Sequence, residues 1–312
     1  MSQPGPPPSL DVQHASPPPA VRTSGAAIAS FVLSLLGFCF FVFAGIPAVI
    51  CGVVALINIG ASNGRLRGRG LATAGIVIAC SQVVLIPFMG ILVALLLPAV
   101  QMAREAARRT DSRNRLRNVA VAMFNFEAAQ QRFPPVSSDM QGEAPTLSWR
   151  VHLLPYVEAS FLYDQFDLDQ AWDSPPNRDL VDPVPFAYQN TNDDLGPGKT
   201  NYLAVTGPGT IFPPNTPGRR SRSSIRDGDA NTIMLVEANA EEAAIWSAPK
   251  DWQFDPADPM RGLGEYRYGG FIAQMADGSS HFISQDIDPQ VLSALLTADG
   301  GEPVDWSAVS GP

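Results

Sequence analysis

One segment limits the folds open to this chain more than any other: Phe88-Met-Gly-Ile-Leu-Val-Ala-Leu-Leu-Leu-Pro98-Ala-Val-Gln-Met-Ala-Arg104-Glu-Ala-Ala-Arg-Arg109. An apolar run of membrane-spanning character passes, across a single proline, into a charged stretch of strong helix formers. That joint predicts a helix held in lipid at one end and packed on a globular domain at the other.

The remaining chain divides around this joint. Residues 1–24 carry prolines at 4, 6, 7, 8, 17, 18 and 19 and almost no apolar bulk, which predicts a disordered, partly polyproline-II tail. The tail lacks the basic start and following apolar core of a cleavable signal peptide. Residues 25–98 are nearly charge-free apart from Arg65, Arg67 and Arg69 and predict a membrane anchor of two or three passes. Gly25 to Ile59 would be about 52 Å long as one helix, against a hydrocarbon core of ~30 Å. A break at Gly45-Ile-Pro47, giving two short passes or a re-entrant hairpin, is therefore expected. Leu71 to Leu97 is long enough to cross with some tilt, and Pro87 and Pro98 are positioned to kink it.

Charge is equally uneven. Residues 1–117 hold 10 basic against 3 acidic side chains, whereas residues 118–312 hold 11 against 27. An acid excess of that size repels phosphate backbones, so nucleic acid is not an expected partner; the long charge-free stretches make the lipid bilayer one. Cys39, Cys51 and Cys80 all lie in the anchor, which leaves the following domain without a disulfide or a thiolate metal site.

From Ala99 to Gln131 the residues favour helix, and Leu116, Val119, Ala120, Met123 and Phe124 or Phe126 form an apolar stripe at three- and four-residue spacing. Phe133-Pro-Pro135 stops it. Short β-runs follow at Tyr202–Val205, Thr232–Glu237, Gly270–Met275 and Ser280–Ile283, with Asp227-Gly228 and Asp277-Gly278 as turn residues before two of them. Asp288-Pro289 opens a last helix that Gly300 would stop. The expectation for residues 99–312 is an α+β domain, one long helix on an antiparallel sheet with a closing helix.

Ile91 to Arg109 resembles the N-terminal helix of a bacterial family of prepilin-like proteins, domain of unknown function 1559. The likeness continues through Arg132-Phe-Pro-Pro135, Ser148-Trp-Arg-Val-His-Leu-Leu-Pro-Tyr-Val-Glu158, Leu162-Tyr-Asp-Gln-Phe166, Trp172-Asp-Ser-Pro175, Thr200-Asn-Tyr-Leu203, Asp227-Gly-Asp-Ala-Asn-Thr-Ile233, Ala276-Asp-Gly-Ser279 and Gly300-Gly-Glu302. Upstream, Ile46-Pro-Ala-Val-Ile-Cys-Gly and Arg67-Gly-Arg-Gly-Leu-Ala-Thr-Ala-Gly75 look like a small membrane module, domain of unknown function 4190. The resemblance implies a pilin-like α+β fold and envelope or secretion-type assembly components as partners. Two departures stand out. The glutamate that serves pilus assembly in the family falls at Ser81, and the residue before the would-be peptidase cut is Ile76, so neither processing nor glutamate-guided filament entry is expected. The histidine ten residues before the family's final Asp-Gly is Arg267 here.

Candidate sites follow from residue types. Asp227, Asp229 and Asn231 have the alternate-residue oxygen spacing of a calcium loop, but Thr232 and Ala238 stand where its glycine and glutamate belong; a turn bonded to its own backbone competes with calcium as the reading. Trp149, Trp172, Trp246 and Trp252 could floor a glycan- or peptide-binding cleft, or be core. Asp164, Asp167, Asp169 and Asp173 suggest a carboxylate hydrolase or a solvated face. His14, His152 and His281 are the only histidines; His14 lies in the tail, His152 in a tryptophan-flanked segment, and Ser279-Ser280-His281 on a strand whose neighbours point to opposite faces, so no nucleophile–base pair is expected. No catalytic residue is assigned, and no cofactor beyond calcium.

The expected protein is therefore non-enzymatic and multi-pass in the cytoplasmic membrane. Outward placement of the domain leaves the basic loop 61–70 inside, although the arginines after residue 103 pull the other way.

Overall fold

A computed structural model describes residues 22–36, 41–62, 65–136, 146–192, 195–213 and 221–302, with 304, 306 and 309. The first 21 residues of the expected tail, with His14, and Cys39 lie outside the described residues. The chain divides into two compact units, Met1–Gln101 and Met102–Pro312. Strand β1 (Arg22–Thr23), helices α1 (Gly25–Leu36) and α2 (Phe41–Ala61) and strand β2 (Leu66–Arg67) belong to the first. Helix α3 (Arg69–Gln130) contributes residues to both.

The first unit is built inside out relative to a water-soluble bundle. Apart from Gln82, its buried helix positions among the described residues are small, among them Ala27, Ser30 and Ser34 on α1, Ala48, Gly52 and Ala55 on α2, and Ala72, Gly75 and Ala79 on α3. Large side chains such as Ile28, Leu35, Ile50, Ile57 and Val77 face outward. Small residues three and four apart let helix backbones approach closely, the pattern of helices packed in lipid, where large apolar groups gain nothing by leaving the surface. Two polar bonds tie the bundle: Ser30 Oγ donates to the Ala48 carbonyl (2.9 Å) and Gln82 Nε2 to the Ser34 carbonyl (2.8 Å).

The expected break at Gly45-Ile-Pro47 does not occur. Helix α2 continues through Pro47, its seventh residue. A proline there removes one backbone bond and crowds the carbonyl four residues earlier, which a helix tolerates where neighbours satisfy the freed group. Likewise α3 remains helical through Pro87 and Pro98. Among the described residues one stretch, Phe88–Gln130, is long and apolar enough to cross a membrane, and its apolar window is nowhere buried.

A Cβ on Gly75 would collide with Ser30 Oγ and come within 2.9 Å of the Ser30 carbonyl carbon. Gly75→Leu is therefore expected to destabilise the detergent-solubilised protein by about 1–3 kcal/mol through overpacking, read as a fall in the helical melting temperature. Gly60→Leu, where a Cβ meets nothing within 4 Å, serves as the near-neutral control.

The second unit is α+β, as its pattern predicts. After α3 come two single-turn helices, α4 (Trp149–His152) and α5 (Ser160–Tyr163). Strands β3 (Lys199–Thr200) and β6 (Ala244–Ile245) pair by themselves. A five-stranded sheet runs in the order β7-β4-β5-β8-β9, formed by β4 (Tyr202–Thr206), β5 (Ile233–Glu237), β7 (Trp252–Gln253), β8 (Gly270–Met275) and β9 (Ser280–Ser284). Its pairs are antiparallel except that edge strand β7 runs parallel to β4. Helix α6 (Pro289–Leu296) closes the domain, with the Asp288 carboxylate accepting the Gln290 N–H at 2.8 Å.

Both sheet faces are covered. Tyr202, Ala204, Met234 and Ile272 pack with Leu116, Val119, Ala120 and Met123 of α3, the stripe read from spacing. Leu203, Val205, Phe271, Ala273 and Met275 turn the other way, onto Leu292, Leu295 and Leu296 of α6. Strand alternation accounts for this partition. In β5 the alternation slips: Met234 and Leu235 join the same cluster, where the register against β8 shifts between Ile233 and Leu235. Such an extra residue re-aims the side chains beyond it.

Candidate functional site

Polar groups converge most densely where α3 meets the sheet. Strand β5 is apolar until its last residue, Glu237, whose carboxylate is carried into the interior by the Tyr202–Glu237 register. Arg267 approaches it from the loop before β8. Its Nε donates to Glu237 Oε2 (2.5 Å) and its Nη2 to Glu237 Oε1 (2.7 Å), a two-pronged pair in which both side chains are at most 1% exposed. The same Nη2 reaches Ser112 Oγ (2.7 Å) on α3 and Thr191 Oγ1 (2.9 Å), and Nη1 reaches Glu105 (3.2 Å). Ser112 Oγ also donates to Glu237 Oε1 (2.9 Å) and lies 3.0 Å from the Tyr202 hydroxyl.

Burial disfavours the charge on Arg267, but the hydrogen bond and charge of Glu237, with Glu105 behind them, outweigh it and raise its pKa. Burial, then the Glu237 charge, raises the Tyr202 hydroxyl well above its ordinary value, so it stays protonated. A charge-assisted cluster whose central pair is buried and hydrogen-bonded on both sides holds parts in place. What it does is lock Ser112 and Glu105 of α3 against β4, β5 and the loop before β8.

A second buried pair lies nearby in the fold. Arg150 Nη2 meets Asp251 Oδ1 at 2.7 Å, both essentially unexposed. Arg150 also donates to the Tyr202 carbonyl and to Ser148 Oγ, while Asp251 accepts the Ala204 N–H and the Trp149 indole N–H. Burial pushes the Asp251 carboxyl up; Arg150, Ala204 and Trp149 pull it back.

The sequence-predicted residues are placed differently. Trp149, Trp246 and Trp252 are core, at 1%, 0% and 1% exposure, and Trp172 is half-buried against the same cluster as the first two. Trp149 and Trp246 pack on Tyr188, edge-on and stacked respectively, and Trp252 belongs to the α6 side. Trp149, Trp246 and Trp252 therefore floor no open cleft; their indole N–H groups find interior acceptors, as in Trp246 to the Val181 carbonyl at 2.7 Å. Two open hollows of about 470 and 440 Å³ contain none of them: one is lined by residues of 182–199, the other by Pro256, Pro259 and α6.

Around the calcium-like loop the oxygens have protein partners. The Asp227 carboxylate accepts the N–H groups of Gly300 (2.8 Å) and Gly301 (2.7 Å), Asp229 pairs with Arg222 (2.9 Å), and Asn231 Oδ1 accepts the Trp306 indole N–H (3.0 Å). The three side chains diverge onto different neighbours and tie the segment after α6 to the loop before β5. Asp164, Asp167, Asp169 and Asp173 are all exposed, where water solvates their charge.

Ser279 and His281 correct the strand argument. Ser279 is two residues before His281, in the turn, and its Oγ lies 3.1 Å from His281 Nε2. Residues two apart share a face; only Ser280 points away. Among the described residues no hydrogen bond orients the other ring nitrogen, and the ring leans on Trp306.

Burial, with Arg132 as a lesser cause, lowers the pKa of His152. Burial, opposed by Asp277 and assisted by Arg113, lowers that of His281. The folded unit thus binds fewer protons at these sites than the unfolded chain. Stability from them is complete above the ordinary histidine value of 6.5 and is lost as pH falls below it toward the folded values. A urea midpoint that drops between neutral and mildly acidic pH is expected, and a His152→Gln/His281→Gln variant should flatten that drop.

The Glu237–Arg267 and Arg150–Asp251 pairs escaped the sequence reading. The available signals were Arg267 standing at the family's histidine position, one acid ending an apolar strand, and an arginine between Trp149 and Val151.

A long helix laid on a five-stranded sheet, with polar side chains clasping the two, defines an α+β domain that follows an apolar helical module in the chain. Residues 101–191 match the profile of a protein family of unknown function, domain of unknown function 1559, and residues 26–89 that of domain of unknown function 4190. These are the two families, in the order, that the sequence resembles. No curated protein and no solved structure matches the chain.

Proposed function

We propose that this is a membrane-anchored, non-enzymatic protein of the pilin or pseudopilin type, with a structural or envelope-assembly role. The first unit is its multi-pass anchor in the cytoplasmic membrane, and the domain from Met102 onward stands outside the cytoplasm. One observation carries the reading: α3 exposes its large apolar side chains as far as Met102, then buries Leu116, Val119, Ala120 and Met123 in the sheet domain. A helix left bare over its apolar half in water would expose an apolar patch far beyond what soluble proteins tolerate. The small-residue interior of the first unit supports several passes. The buried Arg150–Asp251 and Arg267–Glu237 pairs, with Trp149, Trp246 and Trp252 committed to the core, support a scaffold over a catalyst.

Fractionation tests the anchor. The full chain should sediment with membranes, resist an alkaline carbonate wash and need detergent for release; recovery in the aqueous fraction would overturn the proposal. A reporter active only after export, fused behind Pro312, tests the side, and cytoplasmic signal would reverse the orientation.

A further inference from the structure

Six arginines occupy positions 104, 108, 109, 113, 115 and 117 of α3. Four of them differ sharply in what they touch. Arg109 is held by Glu105 (3.3 Å), donates to the Tyr268 carbonyl (2.6 Å) and lies over the Phe282 ring. Arg115 is held by Asp111 (3.0 Å) and the Gln189 carbonyl (2.8 Å). Arg104 and Arg108 are exposed and, among the described residues, have no carboxylate partner; the nearest acid, Glu105, is taken by Arg109 and Arg267.

These two free cations follow Met102, the last exposed large apolar side chain before the sheet-packed stripe begins, by two and six residues. At ~1.5 Å per residue that is about 3 and 9 Å along the helix. Four apart, they share one helix face. Side chains on a helix tilt toward its N-terminal end, here the Met102 end, and an arginine stem extends that reach. Beside this turn the Arg109 bond moors Tyr268, which is 92% exposed. Exposed tyrosine is at home at a lipid–water boundary. The rest of the domain is strongly acidic and is repelled by an anionic surface, so these residues set where headgroups approach.

From this juxtaposition we infer that Arg104 and Arg108, with Tyr268, form a docking face for the phosphate headgroups of anionic phospholipids. The inference rests on the membrane reading above.

The test uses the full chain, reconstituted into vesicles of equal parts phosphatidylcholine and phosphatidylglycerol, re-extracted in mild detergent, with co-purifying lipid counted by native mass spectrometry. The wild type should retain phosphatidylglycerol over phosphatidylcholine. Arg104→Gln/Arg108→Gln should lose about tenfold of that enrichment, and Tyr268→Ala a smaller part. Arg117→Gln, exposed but much farther along α3, should behave as wild type. Both arginines lack interior contacts, so unchanged circular dichroism should accompany the loss. Equal retention of the two lipids by the wild type, or wild-type enrichment in the double variant, overturns this inference while leaving the anchor intact. A chain that never enters the vesicles overturns both.

Discussion

Glu237→Ala should destabilise the sheet domain by about 3–5 kcal/mol, a large share of the stability a domain of this kind possesses. The substitution strands Arg267 in the interior with its charge unmatched, removes an acceptor from Ser112, and empties the carboxylate's space. The loss is read from urea unfolding followed by tryptophan fluorescence; all five tryptophans lie beyond residue 148, so the signal reports this domain alone. Removing both charges, Glu237→Leu with Arg267→Met, should recover most of the loss. Desolvation then disappears along with attraction, and Ser112, Thr191 and Tyr202 retain hydroxyl partners in one another. A double variant as unstable as the single one would show that shape, rather than the unmatched charge, sets the effect.

Asp251→Ala should produce a loss of similar size, about 3–5 kcal/mol. Its carboxylate is the acceptor for Arg150, for the Ala204 N–H and for the Trp149 indole, so one deletion orphans three buried donors. Asp251→Asn keeps the shape and an acceptor oxygen but removes the negative charge, and should fall between wild type and alanine. Equal midpoints for asparagine and wild type would place the pair's contribution in hydrogen bonding alone. The two clusters meet at Tyr202, whose carbonyl serves Arg150 while its hydroxyl serves Ser112. Combining Glu237→Ala with Asp251→Ala should therefore depart from additivity.

Local chemistry was legible where one stretch of chain decides the outcome. Phe133-Pro-Pro135 ends α3 at Gln130, Asp288-Pro289 opens α6, and Asp277-Gly278 closes the β8–β9 hairpin. The apolar stripe from Leu116 to Met123 lies on the sheet because a 3.6-residue period leaves it no other face to bury. Short-range reading erred where a breaker was outvoted. Gly45-Ile-Pro47 lies inside a helix whose neighbours supply packing.

The candidate site was less legible. An aromatic residue has the same identity in a cleft wall and in a core, and Trp149, Trp246 and Trp252 become core only because Tyr188, α4 and the sheet close around them. Ser112, Glu237 and Arg267 are separated by 125 and 30 residues along the chain. No periodicity or spacing rule reaches across such intervals.

The amino-acid order alone determined the apolar helical module, the rod that leaves it and the acidic α+β body, since hydrophobic period, proline placement and charge balance act within a few residues of themselves. Tertiary structure decided which charges pair, which tryptophans are hidden and which arginines stay free. Those outcomes depend on distances between remote residues, and burial makes each of them energetically decisive.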